Sequence, residues 1–283
     1  MTADDHVVYA AAPVALVTAE VRFPGATGTP LPAATQRALG EILGNEWIYD
    51  EQVPAVTLSI PMPVRGQPVL QSPSPPTGAM LRFAGRDRTT SVAITAKSVS
   101  VETTDYENWP AFRSVLATAV RAAGELLRPA GINRIGLRYI DEIRIPDLVD
   151  VGEWAQGLHP AVVPPTPTTM SDAGDRVLNW NGAALYNIGE DRALYLRYGP
   201  QPAQPGFFVN PEGPLRRPGP RPQGPFFLLD FDSFWQPATI PRWSTDELIQ
   251  VAGELRRPVR ALFDDLITER LETEIFMGLR SKV

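Results

Sequence analysis

Arg134-Ile135-Gly136-Leu137-Arg138-Tyr139-Ile140-Asp141-Glu142-Ile143-Arg144-Ile145 is the stretch on which the fold turns. Successive side chains of a strand point to opposite faces, so the run divides in two. Ile135, Leu137, Tyr139, Asp141, Ile143 and Ile145 make one face, oily over most of its length. Arg134, Gly136, Arg138, Ile140, Glu142 and Arg144 make the other, which is heavily charged. A strand patterned this way predicts a mainly antiparallel sheet with one face packed on helices.

The same alternation appears upstream, where Val17, Ala19, Val21 and Phe23 oppose Thr18, Glu20 and Arg22. Residues 31–43 predict a helix behind Pro30 and Pro32, with Gly44 closing it. A strand is expected over 55–60, followed by an irregular connection with six prolines between Pro61 and Gly78. Three short runs, 80–84, 91–95 and 98–102, have the turn-sized breaks of a meander. Trp109, Phe112, Leu116, Val120, Ala123 and Leu127 then mark one face of a helix, with Asp105 or Asn108 as its cap.

Downstream, residues 176–188 and 192–198 read as a hairpin around Gly189-Glu190-Asp191, and 226–234 as a further strand. Ser244 and Glu247 form a capping-box pattern ahead of a last helix, which Pro258 is expected to kink or split. Two heptapeptides match at six of seven positions, Ala123-Gly124-Glu125-Leu126-Leu127-Arg128-Pro129 and Ala252-Gly253-Glu254-Leu255-Arg256-Arg257-Pro258. Each follows a strand and an acid-and-aromatic segment. The expected class is therefore α+β: two related halves, mainly antiparallel sheet packed against long amphipathic helices. The first half, a β-α-β(4)-α-β unit, covers 1–146. A proline-rich linker covers 147–171, and a β-β-β-α half covers 172–283. The halves can also join as one composite domain.

Composition narrows the chemistry. A net charge of -6 opposes binding to a phosphate backbone. The absence of cysteine removes disulfides, thiolate nucleophiles and cysteine-ligated metals. The two histidines, His6 and His159, fall in an N-terminal stretch and a proline-rich loop, which argues against histidine triads and multi-histidine metal sites. No leader pattern or apolar run of membrane-spanning length is evident, and no phosphate-binding glycine pattern follows a strand. The expected setting is the cytoplasm, with no cofactor and no membrane contact.

The charged strand face supplies the first candidate site. Arg134, Arg138, Glu142 and Arg144, with Glu20 and Arg22 beside them, could grip a carboxylate, a phosphate or an acidic partner. Its structural alternative is a solvated face whose charges pair across strands. Asn179-Trp180-Asn181 could be a ligand-binding bend or a bulge. Asp230 and Asp232, two apart on a strand, could hold Mg²⁺ or act as an acid–base pair, or serve as a cap. Arg216, Arg217 and Arg221 in a proline-rich loop could dock on another protein or simply be solvated.

The strand ending Glu20-Val21-Arg22-Phe23, the segment Tyr106 to Trp109 with Phe112, and Arg134-Ile135-Gly136-Leu137-Arg138-Tyr139-Ile140 together resemble a patchily distributed bacterial family of unknown function and about this length. The resemblance spans most of the chain and implies no activity, cofactor or catalytic residue. This chain departs from it in its proline content and at Asp141, where a residue such as Asn is expected.

The leading expectation is a non-catalytic binding or regulatory protein that contacts a protein partner, as an accessory of a defence, toxin-control or biosynthetic gene set. The alternative is a small-molecule or carboxylate-metal-dependent enzyme using Arg134, Arg138, Asp230 and Asp232 in a cleft between the halves. A small-molecule ligand and self-association both stay open.

Overall fold

The computed structural model describes residues 9, 11–25, 31–49, 80–146, 148, 151–163, 180–201, 215–218 and 224–277. In chain order the elements are β1 (Val14–Arg22), α1 (Ala33–Leu43), β2 (Trp47–Tyr49), β3 (Leu81–Gly85), β4 (Thr90–Ile94), β5 (Ser98–Thr103) and α2 (Trp109–Leu127). β6 (Arg134–Ile143), β7 (Gly182–Gly189), β8 (Arg192–Gln201), β9 (Phe226–Trp235) and α3 (Thr245–Leu266) follow. A short 3-10 helix lies at Val151–Gln156 and a π-helical turn at Leu271–Phe276. The expected strand over 55–60, the start of the 176–188 strand, Asn179 and Arg221 lie outside the described residues.

All nine strands join one antiparallel sheet in the order β2-β3-β4-β5-β1-β6-β9-β8-β7. β6 lies between β1 and β9, with Arg22 opposite Arg134 on one side and Ile135 opposite Trp235 on the other. Two three-stranded meanders, β3-β4-β5 and β9-β8-β7, thus flank a central pair. Each meander runs directly into a helix, α2 after β5 and α3 after β9. Both helices cover the same sheet face, where Val17, Val21, Val101, Ile135, Leu137, Leu229 and Phe231 are buried against Phe112, Leu116, Val120, Leu255 and Phe263.

The fold is α+β, but sheet rather than helix dominates it: the helices have only 11, 19 and 22 residues. That corrects the expectation of long helices. A ten-residue strand spans about 33 Å, and about 22 residues of helix cross the same distance. Pro258 does not split the last helix, because α3 runs unbroken from Thr245 to Leu266. Proline removes one backbone donor, and burial of Leu255, Val259 and Phe263 on either side keeps the helix continuous. Caps are as the sequence indicates: Asn108 accepts from the Ala111 N–H, and Ser244 from that of Glu247.

The heptapeptide glycines meet tryptophans reciprocally. A Cβ added at Gly124 of α2 would sit 2.6 Å from Nε1 of Trp243, just before α3. One added at Gly253 of α3 would sit 3.8 Å from Trp109, the first residue of α2. The first contact is a clash and the second an ordinary van der Waals separation. Gly124→Ala is therefore expected to destabilise the protein by about 1–3 kcal/mol. Gly253→Ala is expected to stabilise it by about 0.5–1 kcal/mol, because an interior helical glycine is entropically costly. Urea unfolding of the two variants checks both signs.

Candidate functional site

The two faces of β6 lead to two different sites. On the face away from α2 and α3 the charged residues anticipated from sequence do converge, and they converge on one another. One guanidinium nitrogen of Arg134 donates to both oxygens of Asp232, at 2.9 and 3.1 Å. Arg138 forms a two-nitrogen fork with Asp230 at 2.7 and 2.9 Å, and Arg197 of β8 binds the same carboxylate. Glu142 receives Arg144 and Arg217, and Glu20 receives Arg22. Asp230 and Glu142 are buried. Bidentate pairs fix geometry strongly, yet they leave little guanidinium surface for a newcomer.

Residues 215–218 cross this face as a strap. Leu215 packs with Leu16, Ile140, Phe226 and Leu228 in a small apolar cluster. The Arg216 N–H donates to the Arg88 carbonyl at 2.7 Å, and the Arg216 carbonyl accepts from the Thr104 hydroxyl. With Arg217 on Glu142, both described arginines of this loop are anchored by backbone or side chain. Trp180 donates to the Val162 carbonyl and packs near Phe227, while Asn181 stands exposed just before β7. Neither joins the charged cluster.

The helix-covered face holds what sequence reading passed over. A cavity of about 730 Å³ opens between β6, α3, the start of α2 and the chain leading into β1. Its lining includes Tyr9, Pro13 and Val14; Tyr106, Glu107, Asn108, Trp109 and Pro110; Tyr139 and Asp141; and Arg256, Val259, Arg260 and Phe263. The walls are mostly aromatic and aliphatic, and the polar groups are few, as in a small-molecule site. Tyr106 and Tyr139 meet edge to face with hydroxyls 3.3 Å apart. Arg260 reaches the Tyr9 hydroxyl at 3.1 Å and lies over the Tyr9 and Phe263 rings, while Arg256 lies over Trp109.

Asp141 is the unusual member. It is only 3% exposed and lines the cavity. Burial, then the like charge of Asp230 on the neighbouring strand, push its pKa up to about 8, with Arg260 pulling the other way. At neutral pH it is a protonated acid that can donate. Burial and Tyr106 likewise hold the Tyr139 hydroxyl well above the ordinary tyrosine range. Burial and Glu272 raise Tyr9 to about 12. The site therefore offers neutral hydroxyl and carboxyl donors, with two guanidiniums beside them, in apolar surroundings.

Among the described residues no three carboxylates or histidines gather to hold a metal ion, and no helix is long and apolar enough to cross a membrane. No family model and no curated protein sequence matches the chain.

The raised acid makes stability depend on pH with a definite sign. Its folded pKa of about 8 exceeds the ordinary value of 3.8, so its contribution is fully present below pH 3.8 and is lost as pH rises to about 8. Across that window each pH unit costs the folded state about 1.4 kcal/mol. Asp141→Asn is expected to match the parent near the bottom of the window and to exceed it by a few kcal/mol near the top. Chemical denaturation at several pH values reads the difference.

Proposed function

We propose that this chain is a small-molecule-binding protein whose ligand occupies the cavity between β6, α2 and α3. One observation carries the proposal: the buried carboxyl of Asp141 opens onto a cavity walled by aromatic rings. An isolated polar group in such surroundings is costly unless something completes its hydrogen bonding. The proposal takes the small-molecule class anticipated from sequence and moves its site from the arginine face to the opposite side of the same strand.

A protein partner remains a second proposal, supported by a separate feature. β7 is an edge strand, its sequence Gly182-Ala183-Ala184-Leu185-Tyr186-Asn187-Ile188-Gly189 carries no charge, and Leu185 and Tyr186 are exposed. Natural edges are usually blunted by charge or proline, so this one suits an added strand from another chain. Leu185→Lys is expected to weaken any such association in co-purification, while leaving ligand binding intact.

The chain also has the organisation of a duplicated unit. Mirrored meanders, a helix after each, and a glycine in each helix accommodating the tryptophan of the other support two related halves meeting at β1 and β6. On that proposal the halves divide between α2 and β6, near residue 130, rather than across 147–171.

The binding proposal is checked with the full chain and a neutral, environment-sensitive dye, Nile red. The dye is expected to brighten in the cavity and to raise the melting temperature. Val259→Trp, which fills the space beside Phe263, is expected to abolish both effects while leaving the far-UV circular dichroism unchanged. Equal dye response from a folded Val259→Trp protein would place binding elsewhere.

A further inference from the structure

Charge around the cavity narrows what it accepts. Arg256 and Arg260, four residues apart on α3, line the same wall. The first turn of α2 lines it too, through Asn108, Trp109 and Pro110, and brings the positive end of a 19-residue helix dipole to the rim. Among the described residues two acidic groups share the lining, Glu107, which is exposed, and Asp141, while Glu272 stands behind Tyr9 and accepts from its hydroxyl at 2.9 Å. Asp264, the partner of Arg260, is 46% exposed and lies outside the lining. Asp230 faces the far side of the sheet, where Arg138 and Arg197 bind it. Tyr9 and Tyr139 are raised above the ordinary tyrosine range and are neutral near pH 7.

With Asp141 protonated, the guanidiniums of Arg256 and Arg260 line the wall itself, while Glu107 is at the exposed edge and Glu272 is set back behind Tyr9, and an anion is favoured. An amine of the same shape would meet two guanidiniums without a compensating carboxylate in the interior. The remaining walls, Trp109, Val259 and Phe263, call for an apolar body.

We propose that the cavity takes an apolar monocarboxylate, an aryl- or alkyl-carboxylic acid, which binds as its anion beside Arg256 and Arg260 and accepts a hydrogen bond from the Asp141 carboxyl. This deepens the small-molecule proposal and rests on it. No covalent step is involved: the Asp141 proton stays on Asp141, shared across the hydrogen bond. A bound carboxylate places a second like charge beside Asp141 and holds its proton more firmly, so only the protonated form of the protein binds well. Affinity is then level between the ligand's own carboxyl pKa, about 4–5, and the Asp141 pKa of about 8, and falls by up to about tenfold per pH unit above it. Tyr9 and Tyr139 do not account for that break. Tyr9 is raised to about 12 and Tyr139 well above its ordinary value, and His159 is not in the lining.

The experiment titrates the full chain with 4-phenylbutyrate, its amide 4-phenylbutyramide and the amine 4-phenylbutylamine, by calorimetry and by displacement of Nile red. The carboxylate is expected to bind at least about tenfold more tightly than either isostere near neutral pH. Its affinity is expected to drop above about pH 8 in the parent. In Asp141→Asn, affinity near neutral pH falls a few-fold and the drop vanishes. Arg260→Gln is expected to lose about tenfold or more for the carboxylate while retaining the dye, which separates lost charge from lost fold. Amide or amine binding as tightly as carboxylate overturns the monocarboxylate proposal, as does a pH-dependent drop that persists in Asp141→Asn. If Nile red binds and the amide displaces it while the carboxylate does not, the cavity proposal stands and this one fails. If neither dye nor any probe binds the folded protein, both fail.

Discussion

The pleat of β6 is the constraint on which the molecule depends. This strand joins β1 to β9 and so makes one sheet of what would otherwise be two. Its register therefore fixes both faces across the centre of the protein. A shift by one residue would turn Arg134, Arg138 and Glu142 into the helix-covered core and bring Ile135 and Leu137 out to solvent. Correct pairing places three isoleucine or leucine side chains and Tyr139 under α2 and α3, at roughly 1.5–3 kcal/mol for each fully buried large side chain. A slipped register would forfeit that burial and strand charge in the core.

The arginine-carboxylate forks on the other face act in the same direction. They are too well satisfied by one another to be an empty binding surface, and buried pairs of this kind contribute more to uniqueness than to net stability, because desolvation offsets much of their attraction. Asp230 accepts from a β6 arginine and a β8 arginine together, and Arg134 reaches across to Asp232. Three strands are thereby pinned in register by side chains. The strap at Leu215 closes part of this face with apolar contact and Arg217 closes more of it with charge.

Much of this was legible in the sequence. Period-two patterns identify β1, β3, β4, β5, β6, β8 and β9, because each buries one face or lies in a meander with clear turns. The helices announce themselves through Asn108, Ser244 and a run of apolar residues at three- and four-residue spacing. β2 escaped notice because three residues carry no period, and α3 passes through Pro258 because tertiary burial outweighs one lost hydrogen bond. The cavity was the larger omission. Asp141 is the one carboxylate on the oily face of β6, opposite a face with four charged residues. Its companions come from three distant places: Tyr9 near the start of the chain, Tyr106 to Trp109 ahead of α2, and Arg256 and Arg260 on what reads as a polar stripe of α3. No spacing rule links them. A lone carboxylate interrupting an apolar stripe was the available signal.

The two faces are not independent, since a single layer of backbone separates them. Asp230 neighbours Asp141 across the β6–β9 ladder, opposite Ile140, and its charge adds to burial in keeping the Asp141 proton in place. Arg138 and Arg197 hold Asp230 in position and temper its field, while Arg260 opposes it from the cavity side. Burial is the largest of these effects and belongs to the fold itself, arising from the packing of α3 over β6. The acid is therefore prepared before any ligand arrives, and the neutral donor is a property of the architecture. The ion pairs that look like a recognition surface in the sequence serve instead to set the register and the field under which the opposite face operates.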